Sequence, residues 1–347
     1  MINTMEKNII TVVVPLYNSR DTIARCLESI RRQTFTEYEI IVIDDGSTDG
    51  GAEVAKKYLG PRDQLVSQEN SGVSAARNRG IEVSSGRYIS FLDADDEWDA
   101  FFLQAVYDLS LHYAGAGMYS TGYRIVFPAG DAVEIVLEEA EAEGSCLITD
   151  YFRRALHEHF IWTGCVLIPK EVLTAIGGFP LNVSRGEDLY LWARIALDYP
   201  IACSGKILAI YHQGGNNQAS RSSVLFPYEF LVHALDTMLE DIANRHKFPE
   251  HLESYRNSCM RKGFFFLVAR NDRLSALKWL NCSGITHKSV LDEFMNLKAS
   301  WWFFRMAEFV RKMMGSRIFL NYAGGRRCRD GVVTKLFNTT LPREPRC

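Results

Sequence analysis

The first hundred residues alternate short apolar runs with helical patterns, and this alternation constrains the fold more than any other feature. The β-branched run from Ile10 to Val14 ends at Pro15, which is typical of a buried strand. Asp21 then follows as a candidate helix cap. The apolar positions after it recur with helical spacing: Ile23, Cys26, Leu27 and Ile30. This order predicts a parallel sheet covered by helices.

The same rhythm continues along the next part of the chain. Strand patterns cover residues 40–43, 64–67, 88–92, 164–168 and 208–211, and helical patterns cover residues 52–58, 74–83 and 187–197. We therefore predict an α/β fold with a doubly wound, mostly parallel sheet in residues 1–221. Strand signals become rare in residues 222–347, for which we predict a mainly helical C-terminal region.

Composition excludes several classes of protein. With 47% hydrophobic and 23% charged residues the chain is predicted to be globular, and its net charge of −3 gives no global electrostatic reason to expect binding to a phosphate backbone. We therefore expect no nucleic-acid partner. Eight cysteines show no metal-finger spacing, which favours free thiols in a reducing compartment.

The chain also lacks the sequence features of secretion and of membrane insertion. No basic segment followed by an apolar run and a cleavage site opens it, and no apolar run approaches the ~18 residues of a spanning helix. These features predict a cytoplasmic protein.

Polar and acidic residues follow three of the predicted strands. The three endings are Pro15-Leu16-Tyr17-Asn18, Asp44-Asp45-Gly46-Ser47 and Asp93-Ala94-Asp95-Asp96. Ligands of open parallel sheets bind at the carboxyl ends of strands. Adjacent carboxylates repel one another unless a cation intervenes, and their hard oxygens suit Mg²⁺ or Mn²⁺ bridging a diphosphate. A solvated acidic turn is the alternative.

Other nucleotide-binding signatures are missing from these strand ends. The sequence contains no Walker-A motif, and its glycines do not form the G-x-G-x-x-G spacing of dinucleotide sites. A dehydrogenase or a P-loop enzyme is therefore not indicated.

Five segments in register resemble a known family. They are TVVVPLYNS, IIVIDDGSTDG, NSGVSAARNRGI, YISFLDADDEW and GEDLYLW. Together they resemble the inverting family 2 glycosyltransferases of the GT-A fold, which use nucleotide-diphosphate sugars. The resemblance extends over residues 11–192 and leaves out the C-terminal third.

The resemblance implies roles for individual residues on the donor side. It places Pro15 and Tyr17 against the base of the nucleotide, and Asp45 on the uracil ring of a UDP-linked donor. It also brings Arg77 near the nucleotide. Packing at a strand end is the alternative for Tyr17, and capping of the following turn is the alternative for Asp45.

The resemblance also implies which residues bind the diphosphate and the metal. Asp93 and Ala94 lie against the donor, and Asp95, assisted by Asp93, binds Mn²⁺ or Mg²⁺. His212 resembles a further ligand of the metal or diphosphate, although a structural role at a strand end is equally open. Trp98 stacks on a sugar face or belongs to the core.

On the acceptor side the resemblance places the catalytic base in the segment Gly186-Glu187-Asp188. Asp188 is the preferred base and Glu187 its competitor, and inversion at the anomeric carbon follows from direct attack by the acceptor hydroxyl. The alternative is that both carboxylates only interact favourably with the dipole at a helix N-terminus.

The expected function is transfer of a sugar to a glycan or lipid-linked acceptor in cell-surface polysaccharide synthesis. Two other functions compete: a sugar-nucleotide nucleotidyltransferase, and a non-catalytic protein that binds sugar nucleotides or glycans. The first strand is not followed by the glycine- and lysine-rich loop of nucleotidyltransferases. The carboxylates on both sides of the expected site argue against the non-catalytic protein.

An aromatic and basic stretch at residues 301–312 gives the C-terminal region two interpretations. Its rings either pack that region against the catalytic domain or lie in a membrane interface. In the second case the protein is peripheral on the inner face of the cell membrane.

Overall fold

A computed structural model describes residues 9–156, 159–183, 185–214, 228–243 and 249–269. The strands are β1 Ile10–Leu16, β2 Tyr38–Asp44, β3 Gln64–Ser67, β4 Tyr88–Phe91, β5 Glu97–Trp98, β6 Met118–Val126, β7 Ala132–Ile135, β8 Ser145–Ile148, β9 Val166–Pro169 and β10 Ile201–His212. The helices are α1 Ile23–Arg31, α2 Gly51–Lys56, α3 Val73–Val83, α4 Phe102–His112, α5 Glu138–Glu143, α6 Tyr151–Ala155, α7 Lys170–Ile176, α8 Glu187–Asp198, α9 Tyr228–Ala243 and α10 Leu252–Ala269. A 3₁₀ turn covers Thr163–Cys165.

One twisted sheet holds these strands, in the order β3-β2-β1-β4-β9-β6-β10-β5. The first four are parallel, and β1 lies between β2 and β4. β9 runs antiparallel between β4 and β6, while β7 and β8 extend the sheet beside β6 and β10. The mostly parallel, helix-covered sheet of a GT-A fold is therefore confirmed.

Burial of both faces of the sheet explains why the sequences of the first two strands are mostly apolar. Every residue of β2 is buried, and β1 is buried except for half-buried Pro15, because helices cover both faces of a parallel sheet. The apolar face predicted for α1 is buried as well. These elements hold the ends of β1 and β2 in fixed positions at one edge of the sheet.

Two local predictions are wrong. Helix α1 begins at Ile23 with Thr22 in the N-cap position and no side-chain cap, so Asp21 does not cap it. Residues 163–165 form a 3₁₀ turn instead of the start of a strand, since Gly164 fits a tight turn better than a sheet.

The chain divides into two compact units after Gly263. The boundary expected near residue 221 lies within residues 215–227, which are outside the described part of the chain. Helix α9 belongs to the first unit, where Phe230 packs against Tyr190 of α8. Among the residues that the structure describes, no helix is long and apolar enough to cross a membrane.

Candidate active site

The loops that follow β1 and β2 are bonded to each other. Asn18, whose φ is 47°, donates its backbone N–H to Ser47 Oγ at 3.1 Å and accepts from the Thr48 N–H at 2.9 Å. The Arg20 N–H donates to Asp49 Oδ2 at 2.8 Å. These bonds hold the Tyr17 ring, 42% exposed, at the edge of the sheet.

Asp45 is buried at the end of β2 and organises the loop that leads into α3. Its carboxylate accepts hydrogen bonds from Gln68 Nε2, the Ser71 N–H and the Gly72 N–H, each at 2.8 Å. The turn that follows β2 is capped by Asp44 instead, whose Oδ1 accepts the Ser47 N–H at 3.0 Å, while Asp45 holds a loop 23 to 27 residues later in sequence. Contact with a uracil ring stays a prediction.

Arg77 of α3 connects the two groups of carboxylates that the sequence singled out. Its guanidinium donates to Asp93 at 2.9 and 3.2 Å and to Glu187 at 3.0 Å. Its side chain is only 4% exposed and lies over the Phe179 ring, 5.1 Å from its centroid. Burial lowers the pKa of Arg77, but Asp93 and Glu187 outweigh burial and raise it, so the guanidinium stays charged.

The Gly177-Gly178-Phe179 segment holds that ring in place. Asn78 of α3 donates to the Phe179 carbonyl and accepts from its N–H, each at 2.8 Å. Gly178 has a φ of +70°, and a β-carbon there would lie 2.5 Å from Asn78 Oδ1. Glycine is therefore required for Phe179 to reach its position beneath Arg77.

Glu187 and Asp188 open helix α8, and their surroundings differ. Glu187 is paired with Arg77, whereas Asp188 Oδ1 accepts the Leu189 N–H at 2.7 Å. Burial and then the charge of Glu187 raise the pKa of Asp188 to about 7. A carboxylate with such a pKa can accept a proton near neutral pH, which the helix dipole alone does not explain.

The acidic segment after β4 contains a third carboxylate to which the sequence assigned no role. Asp96 is 1% exposed, its Oδ1 accepts the His212 N–H at 2.7 Å, and its Oδ2 has no hydrogen-bond partner in the described residues. Burial first, then Asp95 and Asp93, raise the pKa of Asp96 well above its usual value. Its position after the Asp93-Ala94-Asp95 segment was the only sequence signal.

The donor atoms of this segment fit a divalent cation. Three carboxylates lie within four residues; Asp93 is paired with Arg77, whereas Oδ2 of Asp96 has no hydrogen-bond partner in the described residues. Within the described ranges, however, no three His, Cys, Asp or Glu side chains are arranged to hold a metal ion by themselves. A cation here would therefore need further ligands, such as the oxygens of a diphosphate.

The remaining predicted residues lie nearby, with different contacts. His212 Nε2 lies 2.9 Å from Glu97 Oε1, so this ring nitrogen already has a protein partner. Trp98 is 2% exposed, stacks on Phe102 at 4.2 Å and donates to the Gly164 carbonyl at 2.6 Å. Trp98 is therefore part of the core, and the sugar-stacking alternative is wrong for it.

Comparison with known sequences agrees with this arrangement. Residues 11–177 match the family described as glycosyl transferase family 2. TuaG of Bacillus subtilis, a putative teichuronic acid biosynthesis glycosyltransferase, is 32% identical over 189 residues, which are 54% of this chain and 71% of TuaG. YibD of Escherichia coli, an uncharacterized glycosyltransferase, is 50% identical over 99 residues, and the match spans only 28% of each protein.

Solved structures share the fold at low sequence identity. The TarS fragment 1–349 of S. aureus in complex with UDP-GlcNAc has a TM-score of 0.65 at 20% identity, with 79% of each chain covered. The mannosyltransferase PcManGT of Pyrobaculum calidifontis, in complex with GDP-Man and Mn²⁺, has a TM-score of 0.54 at 18% identity. The superposed region includes 87% of this chain and 84% of the PcManGT chain.

The sheet, its strand-end carboxylates and these relatives define a glycosyltransferase of the GT-A fold. The chain belongs to glycosyl transferase family 2, and the resemblance seen in its sequence is confirmed.

Proposed function

We propose that the protein transfers a sugar, with inversion, from a nucleotide-diphosphate donor to a hydroxyl of a glycan or lipid-linked acceptor. The contact that carries this proposal is the pairing of one buried guanidinium, that of Arg77, with both Asp93 and Glu187. Through this pairing, two terminal nitrogens of one guanidinium hold Asp93, which we assign to the donor side, and Glu187 of the base segment. A reaction between two bound substrates requires such fixed relative positions.

Asp188 is the residue that we assign as general base. Glu187 is held in an ion pair with the buried Arg77 guanidinium at 3.0 Å, so its carboxylate is already engaged by the protein. Within the part of the chain that the structure describes, Asp188 has no ion pair with a cation, and its pKa is raised to about 7. It would take the proton from the acceptor hydroxyl as that oxygen attacks the anomeric carbon opposite the leaving diphosphate.

Asp95, Asp93 and His212 are the residues that we assign to a divalent cation, Mn²⁺ or Mg²⁺. When bound, such a cation supplies Lewis-acid stabilisation of the charge on the departing diphosphate. Asp96 supports this assignment through its buried, unpartnered oxygen beside the same segment. The Mn²⁺ in the PcManGT complex supports it by similarity of fold.

We propose a UDP-linked donor, with its base between Tyr17 and Pro15 and its uracil ring at Asp45. The UDP-GlcNAc complex of TarS supports this choice, and the GDP-Man complex of PcManGT shows that the fold also accommodates a guanine donor. The name of TuaG, a putative teichuronic acid biosynthesis glycosyltransferase, supports our proposal of a role in cell-surface polysaccharide synthesis.

Hydrolysis of a panel of UDP- and GDP-sugars, with Mn²⁺, with Mg²⁺ and with excess chelator, tests this function. We expect release of the nucleoside diphosphate from one donor class, and its loss with chelator. Release of pyrophosphate from a nucleoside triphosphate would instead indicate a nucleotidyltransferase. Donor binding without any turnover, also with candidate acceptor glycans present, would indicate a non-catalytic protein.

Asp95→Ala in the same assay tests the cation site. The variant should lose transfer and bind the donor more weakly, because its diphosphate loses the carboxylate that links it to the metal. Glu82→Ala on α3 is the matched control, since Glu82 is an exposed carboxylate that forms an ion pair with Arg79 on the surface of the same helix. Near-normal turnover of the Asp95 variant would contradict the assignment.

A further inference from the structure

Two aromatic side chains, Trp162 and Tyr211, lie half-buried beside the candidate site. The rings of Trp162 and Tyr211 pack at a centroid distance of 5.2 Å and are inclined by 36°. Tyr123, which packs against Trp162 from another side at 5.7 Å, is only 7% exposed. Part of the Trp162–Tyr211 surface therefore remains open to solvent or to a ligand.

Hydrogen bonds attach Tyr211 and Trp162 to the donor-side segment. The residue after Tyr211, His212, donates its N–H to Asp96, which anchors the end of β10 at the acidic segment. Trp98, from the same segment, donates to the carbonyl of Gly164 in the turn after Trp162. Both rings are thus fixed relative to Asp93 and Asp95.

The turn after Trp162 also lies near the base. Burial raises the pKa of Cys165, in that turn, to about 11, and Asp188 contributes to the rise. The segment that holds Trp162 is therefore within electrostatic reach of Asp188.

The sequence around Trp162 is adapted to hold its ring in this position. A β-carbon on Gly164 would lie 2.1 Å from the Trp162 ring, so only glycine lets the indole lie against the backbone. Cys165 Sγ accepts from the Trp162 N–H at 3.3 Å and donates to its carbonyl at 3.0 Å. A fixed ring loses little conformational entropy when a ligand stacks on it.

We propose that Trp162 and Tyr211 form a platform on which the pyranose ring of the acceptor stacks, with its attacking hydroxyl directed toward Asp188. This inference rests on the proposed function. One face of a pyranose presents C–H groups of slight positive charge, and the negative face of an aromatic ring attracts them. No nucleotide is needed for this recognition, so the platform is a separate binding site from the one at Tyr17 and Asp45.

Saturation-transfer NMR on the full chain, with UDP and Mg²⁺ present, tests the platform directly. The probes are methyl β-glucopyranoside and methyl β-N-acetylglucosaminide, with glycerol as a polyol that has hydroxyls but no ring. We expect both pyranosides to bind and glycerol not to bind. Trp162→Ala should weaken pyranoside binding ~10-fold, which corresponds to about 1.4 kcal/mol.

Trp162→Phe should restore part of the affinity, because it keeps an aromatic face. Phe101→Ala is the matched control: its ring is 58% exposed, lies outside the platform and should leave affinity unchanged. If Trp162→Ala does not fold, the pyranoside affinity of Tyr211→Ala tests the platform in its place. Unchanged pyranoside affinity in these platform variants, or equal binding of glycerol by the parent protein, would overturn the proposal.

Metal-dependent donor hydrolysis separates this proposal from the proposed function. Trp162→Ala should hydrolyse the donor at the parent rate, because water replaces the acceptor, while transfer to an acceptor glycan is lost. A parent protein that binds pyranosides but turns over no donor would remove the proposed function and leave the platform as a glycan-binding site. A variant that loses hydrolysis and transfer equally would place Trp162 in the donor site and overturn the platform.

Discussion

At the scale of single residues, Asp188 is a candidate site residue whose acid–base chemistry its surroundings change strongly, because they raise its pKa to about 7. Asp188→Asn removes the proton acceptor but keeps the shape of the side chain, so donor affinity should remain while turnover falls by roughly 10²–10⁴-fold. Steady-state kinetics with saturating acceptor measures the effect. Glu187→Gln is the comparison, and a larger loss of turnover in that variant would exchange the two roles.

The pH dependence of the same reaction follows from the raised pKa of Asp188. The base works only when deprotonated, so turnover should fall as the pH drops through about 7 and level off above it. The acidic limb should disappear in Asp188→Asn.

A folded-state pKa above the unfolded value also means that this carboxyl favours folding at low pH, and that the benefit is lost as the pH rises through about 7.

Arg77 carries the largest single-residue effect on stability that we predict. Arg77→Met leaves Asp93 and Glu187 without their shared partner, and breaking a buried ion pair from one side costs about 3–5 kcal/mol. Denaturant unfolding measures it. Arg77→Lys keeps the charge but cannot bridge both carboxylates with a planar fork, so its loss should be intermediate. A loss below ~1 kcal/mol for the Met variant would contradict the role of the bridge.

At the scale of elements, a polar network joins the starts of β1, β2 and β4 at the sheet edge opposite the site. Buried Thr11 donates to Glu39 at 2.6 Å and accepts the Gly86 N–H at 3.0 Å. Thr11→Val removes one hydrogen bond to Glu39 Oε1, which keeps those from Ser85, and takes away the acceptor of the buried Gly86 N–H, so it should cost ~1–3 kcal/mol of stability. Because the network lies far along β1 from Tyr17, donor hydrolysis by the folded variant should be unchanged, and a loss of activity without a loss of stability would contradict this.

The parallel half of the sheet could be predicted from sequence because its signals are local. The apolar runs at residues 10–14 and 40–43 lie inside β1 and β2, although β1 continues through Pro15 to Leu16, and α3 follows its helical pattern to within one residue. Strand β6 was not predicted: its run contains Ser120, Thr121 and Gly122, and the sheet buries these polar residues. Packing in the folded protein, and not the local sequence pattern, therefore determines that this segment forms a strand.

The site could be predicted only as separate segments. Strand-end chemistry pointed to Asp45, Asp93 and Asp95, since carboxyl ends of parallel strands share one edge. The bond between Arg77 and Glu187 joins residues 110 positions apart, and no local pattern encodes it. The burial of Asp96 and Trp98 likewise depends on β10, which closes over the acidic segment from the far end of the domain.

At the scale of the whole molecule, the catalytic unit and the C-terminal region have different compositions. The stretch at residues 301–312, outside the described residues, combines Trp301, Trp302, Phe303 and Phe304 with Arg305, Arg311 and Lys312. Aromatic rings enter the boundary between headgroups and acyl chains, and cations meet anionic lipids there. A lipid-linked acceptor would be reached most easily by an enzyme that rests on that surface.

We therefore predict that the purified protein floats with anionic liposomes at low salt and that binding weakens as salt rises, because the electrostatic part of the attraction is screened. Replacing Arg305, Arg311 and Lys312 with glutamine should reduce flotation while donor hydrolysis persists. Neutral liposomes are the control for the aromatic contribution. If the protein stays in the dense fraction with anionic lipid at low salt, the rings of this stretch are better explained as packing within the C-terminal region.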